Sequence, residues 1–166
     1  MTLDLNIKKI NDNTYRICDK NNKLFTILIP LINAPFGIED KSVNLEIKMS
    51  KSNHSQLLGD LYKIDNYLKS YIENIDKNII WKSSLKKREN WHNMLKTQLA
   101  KKGLECYKEN SSDDTRPNAK GPSHISIYDI NLKNDCSIEL VLQSMWVRNN
   151  FAGIIWEIKK IKELVD

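Results

Sequence analysis

Tryptophans set among basic residues are the side chains of this sequence with the clearest chemical potential. Trp81 and Trp91 lie in residues 77–108, a stretch with nine Lys or Arg against two Glu. Trp146 and Trp156 lie in the last apolar stretch of the chain. Indole rings offer flat faces on which unpaired bases stack, and cations neutralise phosphates. The combination predicts a surface that binds single-stranded nucleic acid.

The predicted contact residues are the four tryptophans, one tyrosine and seven cations near them. They are Trp81, Lys82, Lys86, Lys87, Arg88, Trp91, Tyr128, Trp146, Arg148, Trp156, Lys159 and Lys160. Most cations of the chain are lysine, with 22 Lys against 4 Arg. Lysine suits diffuse contact with phosphates better than bidentate readout of bases. Sequence-independent binding is therefore expected.

A structural role for the same residues stays open. Large aromatic side chains usually fill the core of small sheet proteins, so all four indoles also fit the interior. The net charge of +5 and the pI near 9.0 favour an anionic partner. However, Lys, Asn and Ile all have AT-rich codons, and Asn and Ile are also abundant here. The base composition of the genome therefore accounts for part of this charge. The local charge of +7 in residues 77–108 exceeds the net charge of the whole chain, and codon composition explains this local excess less well.

Motifs for catalysis or metal binding are absent from the sequence. There is no GxSxG, no HExxH and no glycine-rich phosphate loop, and the chain has 5 Gly. Cys18, Cys106 and Cys136 are far apart and, like the three histidines, lack the spacing of zinc ligands. Asp113 and Asp114 are adjacent in a polar loop, where we expect both to be solvated. We therefore expect a non-catalytic protein with no metal and no cofactor.

The sequence also favours an intracellular, reducing compartment. The first residues lack the apolar segment of a secretory signal, and no apolar run approaches the roughly 18 residues of a membrane helix. An odd number of scattered cysteines does not suggest a disulfide framework. No membrane partner is expected.

Residues 136–165 predict two long antiparallel strands joined by a short loop. Apolar residues at spacings of two or four place one set of side chains on one face of each strand. Asn149, Asn150 and Gly153 can take the positive φ angles that a hairpin connection needs. The expected sets are Ile138, Leu140, Leu142 and Trp146 in the first strand, and Ile154, Trp156 and Ile158 in the second.

The first half of the chain predicts more strands and one long helix. Apolar residues three and four apart predict an amphipathic helix over residues 55–75, with Asn53 or Ser55 as its cap. Pro30 and Pro35 are expected to end the strand that precedes them, because proline removes a ladder donor. The other predicted elements are strands near residues 3–7 and at 15–18, 24–32, 43–49 and 124–128, a short helix over residues 91–99, and an exposed loop at 109–123.

The order of these elements resembles a known family. A Pro35-Phe36-Gly37 bend precedes the strand at 43–49 and the helix, and a long hairpin follows with Trp146, Gly153 and Trp156. Over most of residues 24–165 this resembles the single-stranded DNA-binding OB-fold proteins of large (giant) DNA viruses, themselves similar to phage-type replication binding proteins. The Lys, Asn and Ile bias also resembles that of AT-rich giant-virus genes. The chain departs from the phage-type proteins because KKIKELVD is not an acidic tail, which puts tail-mediated partner contacts in doubt.

The resemblance implies an OB-like, partly open β-barrel that binds single-stranded DNA without catalysis. The expected fold is mainly β with α, a single domain over residues 1–166, with a helical and basic insertion at 54–104. DNA is favoured over RNA as partner, in viral replication, repair or recombination, in the host cytoplasm (viral factory) or nucleus. Self-association into a homo-oligomer stays open. The alternative is a structural or assembly protein that uses its sheet edge or helix face as an interface.

Overall fold

One large mixed sheet and one long helix form the part of the chain that the computed structural model describes, residues 3–87, 92–110 and 123–165. The mainly β class with one long helix, predicted from the sequence, is confirmed. The strands are β1 (Asn6–Asn11), β2 (Thr14–Cys18), β3 (Thr26–Ile32), β4 (Ile38–Glu39), β5 (Ser42–Ile47), β6 (Ile80–Lys82), β7 (Leu85–Lys86), β8 (Asn93–Leu99), β9 (Glu105–Asn110), β10 (Ser123–His124), β11 (Cys136–Arg148) and β12 (Phe151–Val165). The helix is α1 (His54–Ile75), and a 3-10 helix spans Ile127–Asp129.

The hairpin of β11 and β12, which the sequence predicts, is the centre of the sheet. Its two-residue turn is Asn149 and Asn150, with φ angles of 51° and 67°. Positive φ at both positions matches the twist of the flanking strands, and Asn tolerates it better than most residues. β2 and β3 pair with β11, whereas β6, β8 and β9 pair in parallel with successive parts of β12. The hairpin therefore positions every strand that surrounds it.

A β-bulge in β11 changes which way Trp146 faces. Leu142 pairs with Trp156 and Ser144 pairs with Ile155, so Gln143 is an extra residue on β11. The extra residue reverses the alternation of side chains beyond it. Trp146, which pairs with Gly153, therefore lies on the face opposite to Leu142. The prediction that Trp146 shares a face with Leu142 is wrong for this reason.

The sheet is not closed into a barrel. Its main path runs β1-β2-β11-β12-β8-β5-β4, and β3 pairs with β11. β5 meets the end of β3 through a single bridge between Asn33 and Glu46, in which the Glu46 N–H donates to the Asn33 carbonyl at 2.9 Å. One bridge is not a ladder, so the described sheet stays open on this side.

Helix α1 covers the core side of the sheet. Its apolar stripe is buried and includes Leu61, Ile64 and Leu68, which belong to the same core as Leu140 and Trp156 of the hairpin. The predicted helix over residues 55–75 is confirmed, with one residue added at its start. No helix within the described ranges is long and apolar enough to span a membrane.

Residues 93–99 form strand β8 and not the predicted short helix. β8 pairs with β5 along its length and with β12 at its end. Met94 and Leu95 are adjacent and both buried, at 1% and 0% exposure. A strand covered on both faces has consecutive apolar residues, and short runs of that kind resemble one side of a helix.

Two further boundaries differ from the prediction. β3 begins at Thr26 and not at residue 24, and it ends at Ile32 as predicted. Pro30 lies inside the strand and does not end it, and the register with β11 shifts between Ile138 and Cys136 at that point. An edge strand with an irregular register tolerates a residue that cannot donate a ladder hydrogen bond. The strand predicted over residues 124–128 is limited to β10, and the 3-10 helix follows it.

Candidate nucleic-acid interface

The β11–β12 hairpin has a core face and an outer face. Cross-strand partners lie on the same face of a sheet. Leu142 and its partner Trp156 are buried on the core face. On the other face, which we call the outer face, Trp146 opposes Gly153 and Arg148 opposes Phe151. The bulge at Gln143 is therefore what brings an aromatic ring and a cation together away from the core.

The indole of Trp146 lies directly against the backbone of Gly153. A Cβ atom built on Gly153 would stand 2.9 Å from Cζ2 of Trp146 and 2.8 Å from the carbonyl oxygen of Lys82. Any side chain at this position would meet both groups, so glycine is required by close approach and not by its φ angle. The absence of a side chain lets the ring pack against the hairpin backbone while remaining partly exposed.

A cleft of about 410 Å³ opens beside this ring, and we call it the Trp146 cleft. It lies between the points where β6 and β8 meet β12: β6 pairs as far as Gly153, and β8 joins from Glu157. Between these points, no strand of the described residues pairs with β12 on that side. The lining includes Trp146, Lys82, Lys86, Lys96, Ser83 and Ser84.

The charge around the Trp146 cleft is positive. Lys82, Lys86 and Lys96 are exposed, and none makes an ion pair with an acid of the described residues. The ammonium of Lys82 lies 4.7 Å from the ring centroid of Phe151, a distance at which a cation and a ring attract each other. Arg148 is also exposed on this face. An apolar ring beside unpaired ammonium groups suits a ligand with flat bases and anionic phosphates.

Trp81 turns in the opposite direction from its neighbour Lys82. Its Nε1–H donates to Oδ1 of Asp65 in α1 at 3.1 Å, and the Ser83 hydroxyl donates to the other carboxylate oxygen at 3.1 Å. Burial raises the pKa of Asp65 above its usual value, although these two hydrogen bonds act in the lowering direction. Because side chains alternate along β6, fixing Trp81 toward the helix directs Lys82 to the outer face.

Trp156 does not agree with its predicted role in base stacking. Its exposure is 1%, and it packs in the core with Leu142 and Ile158. A ring without exposed faces cannot stack on a base, so this indole follows the alternative, structural interpretation.

The remaining predicted contacts are dispersed. Lys87 is exposed but does not line the Trp146 cleft, and Tyr128 is 90% exposed in the 3-10 helix, also outside it. Lys159 and Lys160 lie further along β12, beside a second cleft. Arg88 and Trp91 lie outside the described residues, as does the pair Asp113–Asp114.

Sequence reasoning missed two residues of this site, Lys96 and Phe151. Lys96 was hidden by the incorrect helix over residues 91–99; in a strand it alternates with the buried Thr97 and therefore faces outward. Phe151 directly follows the Asn149–Asn150 turn. A cross-strand pairing with Arg148 follows from a two-residue turn, and that signal was present in the sequence.

The described residues contain no group of three or more His, Cys, Asp or Glu placed to hold a metal ion. Cys18, Cys106 and Cys136 are free thiols, and all three are buried. Comparisons with known protein families, with curated proteins and with solved structures find no significant match to this chain. The case for a function therefore rests on the geometry of the outer face.

Proposed function

We propose that this protein binds single-stranded DNA without sequence preference and without catalysis, through the Trp146 cleft. The observation that carries the proposal is the position of Trp146: a β-bulge turns its ring to the outer face, beside lysines that have no acidic partner in the described structure. A protein that needed Trp146 only for its core would keep it on the face of Leu142.

Each group of the cleft has a role in this proposal. Trp146 stacks on a base, and stacking of this kind contributes roughly 1–3 kcal/mol per base. Lys82, Lys86 and Lys96 contact phosphates, which makes affinity depend steeply on salt. Neither ring faces nor ammonium groups distinguish one base from another, so binding is sequence-independent.

The OB-like architecture and the biological setting belong to the same proposal. The ring of neighbours β3, β11, β12, β8 and β5, with β5 returning to β3 at the Asn33–Glu46 bridge, supports an open OB-like barrel. The resemblance in the Pro35-Phe36-Gly37 bend and the hairpin favours a role in the replication, repair or recombination of a large DNA virus. Such a protein acts in the viral factory of the host cytoplasm or in the nucleus.

The test is a binding titration of the full chain with fluorescent dT16, rU16 and a duplex, over a series of salt concentrations. If Lys82, Lys86, Lys96 and Arg148 all contact phosphates, the slope of log K against log salt should be about −2.8, at about −0.7 for each contact. Oligo-dT should quench tryptophan fluorescence, and Trp146→Leu should remove that quench. Absence of both binding and quenching at low salt would reject the proposal.

A matched pair of triple variants distinguishes binding at the Trp146 cleft from attraction by the net charge of the protein. Lys82→Gln/Lys86→Gln/Lys96→Gln should reduce the salt slope by about 2. Three exposed lysines elsewhere serve as the control, because their replacement changes the net charge equally; they are Lys8, Lys63 and Lys133. Equal losses of affinity in the two triple variants would mean that binding is diffuse and does not use the cleft.

An assembly role is the second candidate, and one observation favours it. Leu28 and Leu31 of the edge strand β3 are 73% and 43% exposed. Among the described pairings the strand has a ladder only with β11, so its other edge can accept a further strand. A chain that elutes as a salt-insensitive oligomer and does not bind dT16 would support this function instead.

A further inference from the structure

A second basic cleft lies on the outer face, further along the hairpin. Its volume is about 580 Å³, and four cations line it, namely Arg16, Lys23, Lys159 and Lys160. Glu105 and Glu139 also line it, so the cations outnumber the acids by two to one. We call it the Lys160 cleft.

The strand register places the Lys160 cleft on the same face as Trp146. Lys160 opposes Glu139 on the outer side of the hairpin, and the core side at this level holds the buried Ile138 and Ile161. Arg16 lies between the buried Tyr15 and Ile17 of β2 and therefore also faces outward.

An aromatic ring accompanies the cations here, as in the first cleft. The ammonium of Lys160 lies 5.2 Å from the ring centroid of Tyr107, compared with 4.7 Å for Lys82 and Phe151. Tyr107 pairs with Lys162 and follows the buried Cys106, so its ring belongs to the outer face. The same chemistry, a ring beside an ammonium group, thus occurs at both ends of one strand.

The distance between the rings of Trp146 and Tyr107 determines how long a DNA strand must be to contact both. Along β12, the partners of Trp146 and Tyr107 are Gly153 and Lys162. Nine residues of extended strand span about 30 Å. At about 3.4 Å for each stacked nucleotide, this distance corresponds to about nine nucleotides, and to fewer when the strand is extended. The value lies within the site sizes of about 4–16 nucleotides found for OB-type binders.

We infer that one DNA strand lies along the outer face of the hairpin and occupies both clefts at once, with Tyr107 as a second stacking residue. The inference rests on the proposed function and adds the course and minimum length of the bound strand. Lys159 and Lys160 act at this second cleft rather than around Trp146. A short oligonucleotide fills one cleft, whereas a longer strand gains from both because the second contact is intramolecular.

The experiment measures the affinity of the full chain for dT4, dT8, dT12 and dT16 by competition against fluorescent dT16. For the wild type, dT12 should bind at least about tenfold more tightly than dT4, with little further gain at dT16. Arg16→Gln/Lys23→Gln changes two exposed residues and should weaken dT12 at least about fivefold while leaving dT4 within about twofold. Tyr107→Leu should behave in the same way. The control is Lys63→Gln/Lys133→Gln, which should leave the whole length series unchanged.

The outcomes distinguish the inference from the proposed function. If dT16 binds and quenches tryptophan fluorescence, but the Arg16→Gln/Lys23→Gln variant keeps the wild-type length dependence, the two-cleft course is wrong and the Trp146 cleft stands alone. The inference also fails if that variant weakens dT4 and dT12 equally. If dT16 does not bind the wild type, both are rejected.

Discussion

Replacement of Gly153 by alanine tests how Trp146 is held. The added Cβ would stand 2.8 Å from the Lys82 carbonyl oxygen and 2.9 Å from Cζ2 of Trp146. The carbonyl belongs to the backbone of β6, which pairs with β12 at this residue, so it cannot rotate away as a side chain would. Either β6 separates from β12 or the indole lifts from the strand. Overpacking of this kind costs about 1–3 kcal/mol, and we expect Gly153→Ala to lower the free energy of unfolding by that amount in urea denaturation.

Gly59 offers a control with the same chemical change. It lies in α1, and a Cβ built on it meets nothing within 4 Å. Alanine is favoured over glycine in a helix interior, so Gly59→Ala should raise the free energy of unfolding by about 1 kcal/mol. The two variants should therefore differ in sign. If Gly153→Ala unfolds at the same urea concentration as the wild type, or higher, the close packing of Trp146 on this strand is refuted. Displacement of the indole should also weaken the dT16 quench.

Three further predictions concern residues outside the clefts. Burial raises the pKa of Asp65 above 3.8, so the folded chain binds this proton at a higher pH than the unfolded chain does. The free energy of unfolding of the wild type, relative to Asp65→Asn, should therefore rise as pH falls from about 7 to about 4, and a constant difference would contradict this. Burial is the main cause that raises the pKa of the Cys136 thiol to about 12. All three cysteines are buried, so a thiol reagent at about pH 8 should label none of them in the native chain but all three in urea, and native labelling would show an open core. Leu28→Lys, at a position 73% exposed, should change the free energy of unfolding by less than about 0.5 kcal/mol. It should also leave dT16 binding intact, whereas loss of an oligomer with this variant would favour the assembly role.

The hairpin and the long helix follow from the sequence because each depends on a local pattern. Alternating apolar residues around Asn149 and Asn150 predict the hairpin, and the turn has the positive φ angles that this pair permits. Apolar residues three and four apart predict α1 to within one residue of its start. Such local patterns predict structure well because the apolar residues that form them are the residues buried in the core.

The site follows from the sequence only in part, since its geometry depends on contacts between distant segments. Lys82, Lys86, Trp146 and Arg148 were predicted as contacts, and the structure does bring them to the outer face. The position of Trp146 and Arg148 on that face was not predictable, because one extra residue at Gln143 reverses the alternation along β11 and leaves no mark in the apolar pattern.

The tryptophans also show that contacts between distant segments cannot be predicted from local sequence. Trp81, Trp146 and Trp156 are the same residue type, and each has a cation within four residues of it in the sequence. What separates them is a partner far along the chain: Asp65 accepts the hydrogen bond of Trp81, and Leu142 lies opposite Trp156. The sequence shows that aromatic and basic residues lie close together along the chain. Only tertiary contacts decide which of the rings stay exposed.

The shape of the Trp146 cleft depends on Asp65, although that carboxylate lies on the other side of the sheet. β6 leaves β12 after Lys82, and Ser83 is the residue at which the chain turns away. The Ser83 hydroxyl donates to Asp65 and accepts the N–H of Leu85 at 3.1 Å, which fixes this turn. The chain then pairs with β8 as β7, which places Lys86 opposite Met94 on the strand that carries Lys96. The buried carboxylate of Asp65 on α1 thus fixes where β6 separates from the hairpin, and this separation leaves the gap beside Trp146.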